Sequence, residues 1–160
     1  MIRPILLLGS HNLYDVSVPV SKDEDIGQIV EDLRDTLLDW RSKNNAGRAI
    51  AAPQIGIGKR IIYVEIDEPL VFINPRLEFP TAKMMEVWDD CMSLPGLYVK
   101  VRRYEQCNVY FTDMDGNQKV FYLQGSMAEL MQHEYDHLEG VLATMRAMDC
   151  KAFRMKKIEG

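Results

Sequence analysis

One short stretch near the end of the chain constrains it more than any other. Ser126 followed by Glu129 has the form of a capping box, and Gly140 is placed as a C-terminal stop. Between them the spacing predicts a helix over 127–139. It carries His133-Glu134-Tyr135-Asp136-His137, the H-E-x-x-H pattern. Histidines at i and i+4 lie one turn apart on one face, so both imidazoles can reach a single metal ion. Glu134 projects from nearly the same face and can take a proton from a water on that ion. A random ordering of 3 His among 160 residues gives this pattern in roughly 0.4% of chains, and here it falls on a helix with marked ends.

The rest of the chain reads as one domain over 1–160, without repeats, low-complexity tracts or a Gly/Ser/Pro linker. With 47% hydrophobic and 27% charged residues it has the composition of a globular domain rather than a disordered one. A net charge of −5 argues against a protein held mainly by nucleic-acid phosphates. The opening run Ile5-Leu6-Leu7-Leu8 is too short for a membrane span or a signal-peptide core. The expectation is a cytoplasmic, bacterial-type protein, without excluding an organelle, and with no membrane partner.

Ser21 and Glu24 form a second capping-box pattern. Behind it Ile26, Ile29, Val30, Leu33, Leu37 and Trp40 recur at helical spacing, which predicts an amphipathic helix over 22–42. Its polar side, with Asp25, Glu31, Asp32, Asp35 and Asp39, is expected to be solvated. Strands are expected at 4–8, 60–66 and 70–74, and a hairpin at 109–112 and 119–122 around Asp115-Gly116. Residues 145–158 read as a final helix. Together these give an α+β fold of mostly antiparallel strands around a central helix bearing the H-E-x-x-H motif, plus an N-terminal amphipathic helix.

A catalytic metal site wants three protein ligands and an open position. The extended H-E-x-x-H-x-x-G-x-x-H pattern would put a histidine at 143, where Ala143 stands, and His11 is remote and reads as an ordinary polar residue. Cys91, at a strand end running into Pro95-Gly96, is the best third ligand. The neighbouring carboxylates Asp89 and Asp90 disfavour a free thiolate, whereas a divalent ion deprotonates a thiol outright. Cys107 and Cys150 read as small buried hydrophobes. The small, Gly-bounded segment from Gly47 to Gly58 suggests backbone packed close to something.

Three segments, in order and spacing, resemble the peptide deformylases. Gly47-Arg48-Ala49-Ile50-Ala51-Ala52-Pro53-Gln54 is similar to that family's G-x-G-x-A-A-x-Q. Asp89-Asp90-Cys91-Met92-Ser93 is similar to E-G-C-L-S. Gln132-His133-Glu134-Tyr135-Asp136-His137-Leu138-Glu139-Gly140 fits Q-H-E-x-D-H-L-x-G at every fixed position. Arg3-Pro4-Ile5-Leu6 and the run from Pro95 to Arg103 look like the same family.

The resemblance implies removal of the formyl group from N-terminal formyl-methionine of nascent polypeptides, releasing formate. It implies one divalent metal per chain on Cys91, His133 and His137. Iron(II) is expected from the family, with zinc, nickel or cobalt as replacements in purified protein. Glu134 would move the proton, while the Gln54 amide and the Met92 backbone N–H would donate to the oxyanion. Gly47, Arg48, Ala49, Asp90 and Leu130 would meet the substrate. An apolar pocket for a methionine side chain is expected, with Met127, Leu130 and Met131 as candidates or as plain helix core. Formyl-methionyl peptides, proximity to the ribosome and a monomeric state complete the implied partners.

The chain departs from the family pattern at three positions. Ala49 replaces a glycine, so its methyl could crowd the substrate or demand a special φ. Asp89 replaces Glu on a shorter arm, which could cost it a partner cation. Asp90 replaces Gly beside the metal ligand. These departures motivate two rivals: a related hydrolase with another N-acyl substrate, and a weakened metal-binding relic. An H-E-x-x-H endoprotease is a third, disfavoured by the missing downstream ligand.

Overall fold

The run Ile61-Ile62-Tyr63-Val64 is continuously apolar rather than alternating, and the computed structural model, which describes residues 1–157, shows why. The strands are β1 (Ala49–Ala51), β2 (Ile61–Glu65), β3 (Pro69–Glu78), β4 (Met84–Asp89), β5 (Leu97–Tyr104), β6 (Gln106–Thr112), β7 (Gln118–Gln124) and β8 (Phe153–Met155). The helices are α1 (Gly27–Asn44) and α2 (Ser126–Leu138). β2 lies inside a five-stranded antiparallel sheet of order β1-β2-β3-β6-β7, and both faces of that strand are covered. Ile61 and Tyr63, with Ile50 and Ile73, meet Leu33 and Leu37 of α1. Ile62 and Val64, with Ala49, Ala51, Phe72, Val109 and Phe111, meet Ala128, Leu130, Met131 and Leu138 of α2. A strand buried on both faces has no solvent side on which to carry polar residues.

The second sheet is three-stranded and antiparallel, in the order β4-β5-β8. It packs Val99 and Val101 against Cys91, Leu94 and Ala143. α2 therefore sits with β1, β6 and β7 on one side and β5 on the other. The loop from β4 carries Cys91 toward α2. The α+β class and the antiparallel pairing agree with the sequence reading.

Several local expectations do not hold. Residues 4–8 form no strand. Leu6 N–H donates to the Gln54 carbonyl and Leu8 N–H to the Ser93 carbonyl, 2.8 and 3.0 Å away, and neither partner lies in a strand, Gln54 being in a 3₁₀ turn and Ser93 in a loop. α1 begins at Gly27, not 22. Ser21 and Glu24 close a turn on themselves, Ser21 N–H donating to Glu24 Oε2 and Glu24 N–H to the Ser21 carbonyl, each at 3.1 Å, and Lys59 holds the same carboxylate. Asp32 is not solvated. It is 1% exposed and takes the Arg3 guanidinium and the Met1 amino group, which docks the N-terminal segment on α1.

The Ser126 capping box is also absent. Gly125 is the N-cap, with φ +62°, and no side chain caps the helix. Residues 145–157 form no helix: a short 3₁₀ turn ends at Arg146 and β8 then pairs with β5, while residue 158 of the expected helix lies outside the described residues. β5 offered an open edge, and hydrogen bonding to it satisfies backbone that a short isolated helix would leave to water. Cys107 is fully buried as expected, and burial pushes its thiol up to about 11, but Cys150 is exposed.

Gly140 does stop α2, at φ +70°, and it has a second reason to be glycine. A Cβ there would stand 2.4 Å from the Tyr14 carbonyl oxygen. Forcing a side chain into the left-handed region alone costs about 1–2 kcal/mol. Gly140→Ala is therefore expected to lower the melting temperature by about 4 °C or more, and a thermal melt matching the parent would contradict the contact.

Candidate metal centre and cleft

Cys91, His133 and His137 are brought together although the first and second lie 42 positions apart in the chain. Their candidate ligand atoms all lie within 4.8 Å of one another, and all three residues are buried. Cys91 Sγ is 3.2 Å from His137 Nε2. Sulfur and nitrogen sharing a tetrahedral ion would sit about 3.5 Å apart. One thiolate and two imidazoles suit iron(II), zinc, nickel or cobalt and not a hard oxygen-seeking cation. His137 Nδ1 is buried without a partner among the described residues.

His133 is oriented from behind. Its Nδ1 lies 2.9 Å from Asp89 Oδ2, which leaves Nε2 to face Cys91 and His137. Asp89 is itself held by Arg103 at 2.8 Å, and Arg103 reaches Asp136 at 2.6 Å. Arg146 closes the chain with two bonds to the Asp136 carboxylate, at 2.5 and 2.8 Å. Asp89, Arg103 and Asp136 are all buried. Burial alone would raise the Asp89 carboxyl, but His133 and Arg103 hold it below the usual carboxylate range. The shorter arm of Asp89 has therefore not lost its cation. Burial pulls His133 down while Asp89 and Cys91 more than offset this, and His137 is driven well below its ordinary value by burial and by His133. The lowered His137 thus keeps its imidazole in the neutral form that binds a metal.

Two further groups face the same point. Glu134 is 3% exposed, with Oε2 unpartnered among the described residues, and burial pushes its carboxyl up to about 7 against the pull of His133. Gln54 lies in the 3₁₀ turn after β1. Its Oε1 accepts the Ala51 N–H at 2.9 Å, which turns Nε2 toward Ser93 Oγ at 3.2 Å and Cys91 Sγ at 3.5 Å. Ser93 N–H also points at Cys91 Sγ, at 3.4 Å.

The site opens into a cleft of about 560 Å³. Gly47, Arg48, Ala49, Gln54, Asp90, Cys91, Met92, Leu130, His133 and Glu134 line it, and His137 lies beneath, 1% exposed. Ala49 needs no special φ, being outside the left-handed region, and its methyl packs in the core with Ile62 and Phe72. Asp90 is half exposed and neutralised by Lys156 at 2.8 Å. Arg48 meets Glu129 across the cleft at 3.4 Å.

Sequence reasoning passed over Arg103, Asp136, Glu129 and Lys156. Asp136 stood inside the helical motif and Arg103 inside the run from Pro95, so both were visible. Glu129 was taken for a capping residue, and nothing in the sequence links Lys156 to the site.

A family model described as polypeptide deformylase matches residues 2–153. The chain is 34% identical to a peptide deformylase of Teredinibacter turnerae over 159 residues, spanning 96% of this chain and 92% of that one. Among solved structures, the peptide deformylase of Thermotoga maritima superposes with a TM-score of 0.85 at 27% identity, covering 93% of this chain and 99% of the other. The Synechococcus elongatus peptide deformylase in complex with actinonin gives 0.84 at 31% identity, with 94% and 82% covered.

Proposed function

This chain belongs to the polypeptide deformylase family, metal-dependent hydrolases that remove the N-formyl group from nascent peptides, and we propose that Cys91, His133, His137, Glu134, Gln54 and Met92 carry that reaction here. The observation that supports this assignment best is the convergence of three donor atoms within 4.8 Å, with Glu134 buried beside them. The other residues proposed from sequence, Gly47, Arg48, Ala49, Asp90 and Leu130, form the substrate walls. The whole of 1–160 is one catalytic domain in this reading, with α2 as its central element and α1 as the N-terminal amphipathic helix.

A divalent ion held by Cys91, His133 and His137 would supply Lewis acidity, which would make a water nucleophilic near neutral pH and polarise the formyl carbonyl. Glu134 takes the proton from the attacking water. It delivers that proton to the nitrogen of the leaving amine as the C–N bond breaks, giving formate and a free N-terminus. The carbonyl oxygen gains negative charge in between. Gln54 Nε2 and the Met92 N–H donate to it, and one such donor is typically worth about 3 kcal/mol. Gln54 is preorganised for this because Ala51 fixes its other amide end. Asp89 keeps the His133 ring in the tautomer that leaves Nε2 free.

Iron(II) is the proposed native metal, following the family, with zinc, nickel or cobalt able to occupy the same donors. The enzyme acts as a monomer in the bacterial cytoplasm, near the ribosome, where formyl-methionyl chains emerge. No helix among the described residues is long and apolar enough to cross a membrane. A relic would have no chemical use for Glu134 or Gln54, and both are buried at the site. Cys91→Ser is expected to retain less than a tenth of the one metal per chain of the parent, measured by elemental analysis after dialysis against a weak chelator. Full metal content in that variant would remove Cys91 as a ligand.

A further inference from the structure

A second cavity, of about 330 Å³, lies against another face of the motif helix. Gln132, Tyr135 and Asp136 of α2 form its floor, three and four residues apart and so on one side of the helix. It shares no lining residue with the metal cleft, and none of Cys91, His133 and His137 lines it. Its size falls within the range of small-molecule sites, about 300–1,000 Å³.

One wall is apolar and flat. Phe79 and Tyr104 stack with ring centroids 4.1 Å apart and planes 20° from parallel. The Gln132 amide pins the Tyr104 main chain to the floor, accepting its N–H at 2.9 Å and donating to its carbonyl at 2.8 Å. Phe79 and Met84 nevertheless stay 42% and 43% exposed, which leaves apolar surface in water that an occupant would cover.

The other wall holds more donors than free acceptors. Arg146 uses Nε and Nη2 on Asp136, and its Nη1 has no partner among the described residues. Arg103 Nε is buried and likewise unpartnered among them. Arg102 meets only Glu86 among them, at 3.7 Å. Of the two carboxylates at the cavity, Asp136 already takes Arg103 and Arg146, and Glu139 is held by Arg60 at 2.5 Å.

We infer that this cavity is a second binding site, for a small aromatic carboxylate, with Arg146 recognising the carboxylate and the Phe79–Tyr104 wall holding the ring. The guanidiniums of Arg102 and Arg146 repel a cation. A neutral ring would cover Phe79 and Met84 but leave the spare donors without an acceptor. A bare inorganic anion would meet those donors but leave the apolar wall wet. An aromatic carboxylate answers both, with charge-assisted N–H···O bonds at one end and ring stacking at the other. Because the two sites have no residue in common, its occupant and a formyl-peptide can be bound together, and the inference does not depend on the reaction assigned to the metal cleft.

The test is calorimetric binding of 2-naphthoate and of its uncharged analogue 2-naphthamide to the zinc-loaded protein. The parent is expected to bind one naphthoate per chain and to bind naphthamide at least tenfold more weakly. Arg146→Gln should weaken naphthoate at least tenfold and bring the two probes level. Phe79→Ser changes an exposed side chain outside the Asp136 network, so it keeps the test open should Arg146→Gln fail to fold, and it should weaken both probes about fivefold. Naphthamide binding as tightly as naphthoate in the parent would overturn the inference, as would no binding of naphthoate at millimolar concentration. A carboxylate seated on the metal instead would be indifferent to both substitutions, and naphthoate affinity unchanged in the two variants would overturn the inference as well.

Discussion

Glu134→Ala is expected to keep its metal and to lose about a thousandfold or more in kcat on a formyl-peptide. The two consequences separate because Glu134 lies beside the ligand set without belonging to it. Cys91, His133 and His137 supply the donors, and Asp89, which orients His133, is not touched by the change. Proton transfer by a positioned carboxylate contributes about 10²–10⁴-fold. Here the carboxylate is buried, its Oε2 is unpartnered among the described residues, and its carboxyl is raised to about 7, so it can both take and return a proton near neutrality. Glu134→Gln removes the proton transfer without the cavity and should lose activity to a similar extent. A kcat within threefold of the parent in either variant, at equal metal content, would place the proton elsewhere.

Arg103→Met is expected to destabilise the fold by about 3–5 kcal/mol, the usual consequence of leaving buried charges unpaired. Arg103 is the only cation shared by Asp89 and Asp136 among the described residues, and all three are buried. Arg146 can still serve Asp136, but Asp89 would keep only the His133 ring. An unpaired Asp89 no longer fixes that ring, so metal affinity should fall about 10–100-fold as well. Chemical denaturation and metal competition read the two effects independently. A loss below 1 kcal/mol with unchanged metal affinity would mean that this network does not tie the motif helix to β4 and β5.

These two variants also mark what could and could not be read from the sequence. His133, Glu134 and His137 were legible because the 3.6-residue period converts a spacing of four into a shared face. Cys91 was legible by elimination and by the chemistry of a thiolate among carboxylates. In the five-stranded sheet β2, β3, β6 and β7 were legible because β-branched and aromatic residues cluster there, whereas β1, the short Ala49–Ala51 segment, was not. What failed were features decided by tertiary partners. Ser21-Glu24 and Ser126-Glu129 both satisfy the capping pattern, yet the first pair closes a turn of its own ahead of α1 and Gly125 rather than Ser126 takes the N-cap of α2, so neither pair caps its helix. Asp32 looked solvated by periodicity until Arg3 folded over it. The tail looked helical because Met and Lys favour helices, but the free edge of β5 recruited it as a strand. Its arrival places Lys156 opposite Asp90, a contact between residues 66 positions apart that no local pattern encodes.

The most direct test of the central claim is formate release from formyl-Met-Ala-Ser by anaerobically purified protein, before and after the bound metal is removed and restored. Turnover that disappears with the metal, and returns when one equivalent of iron(II) or nickel is added back, is the predicted result. Protein that holds one metal on Cys91, His133 and His137 yet releases no formate would contradict the claim that this centre performs deformylation.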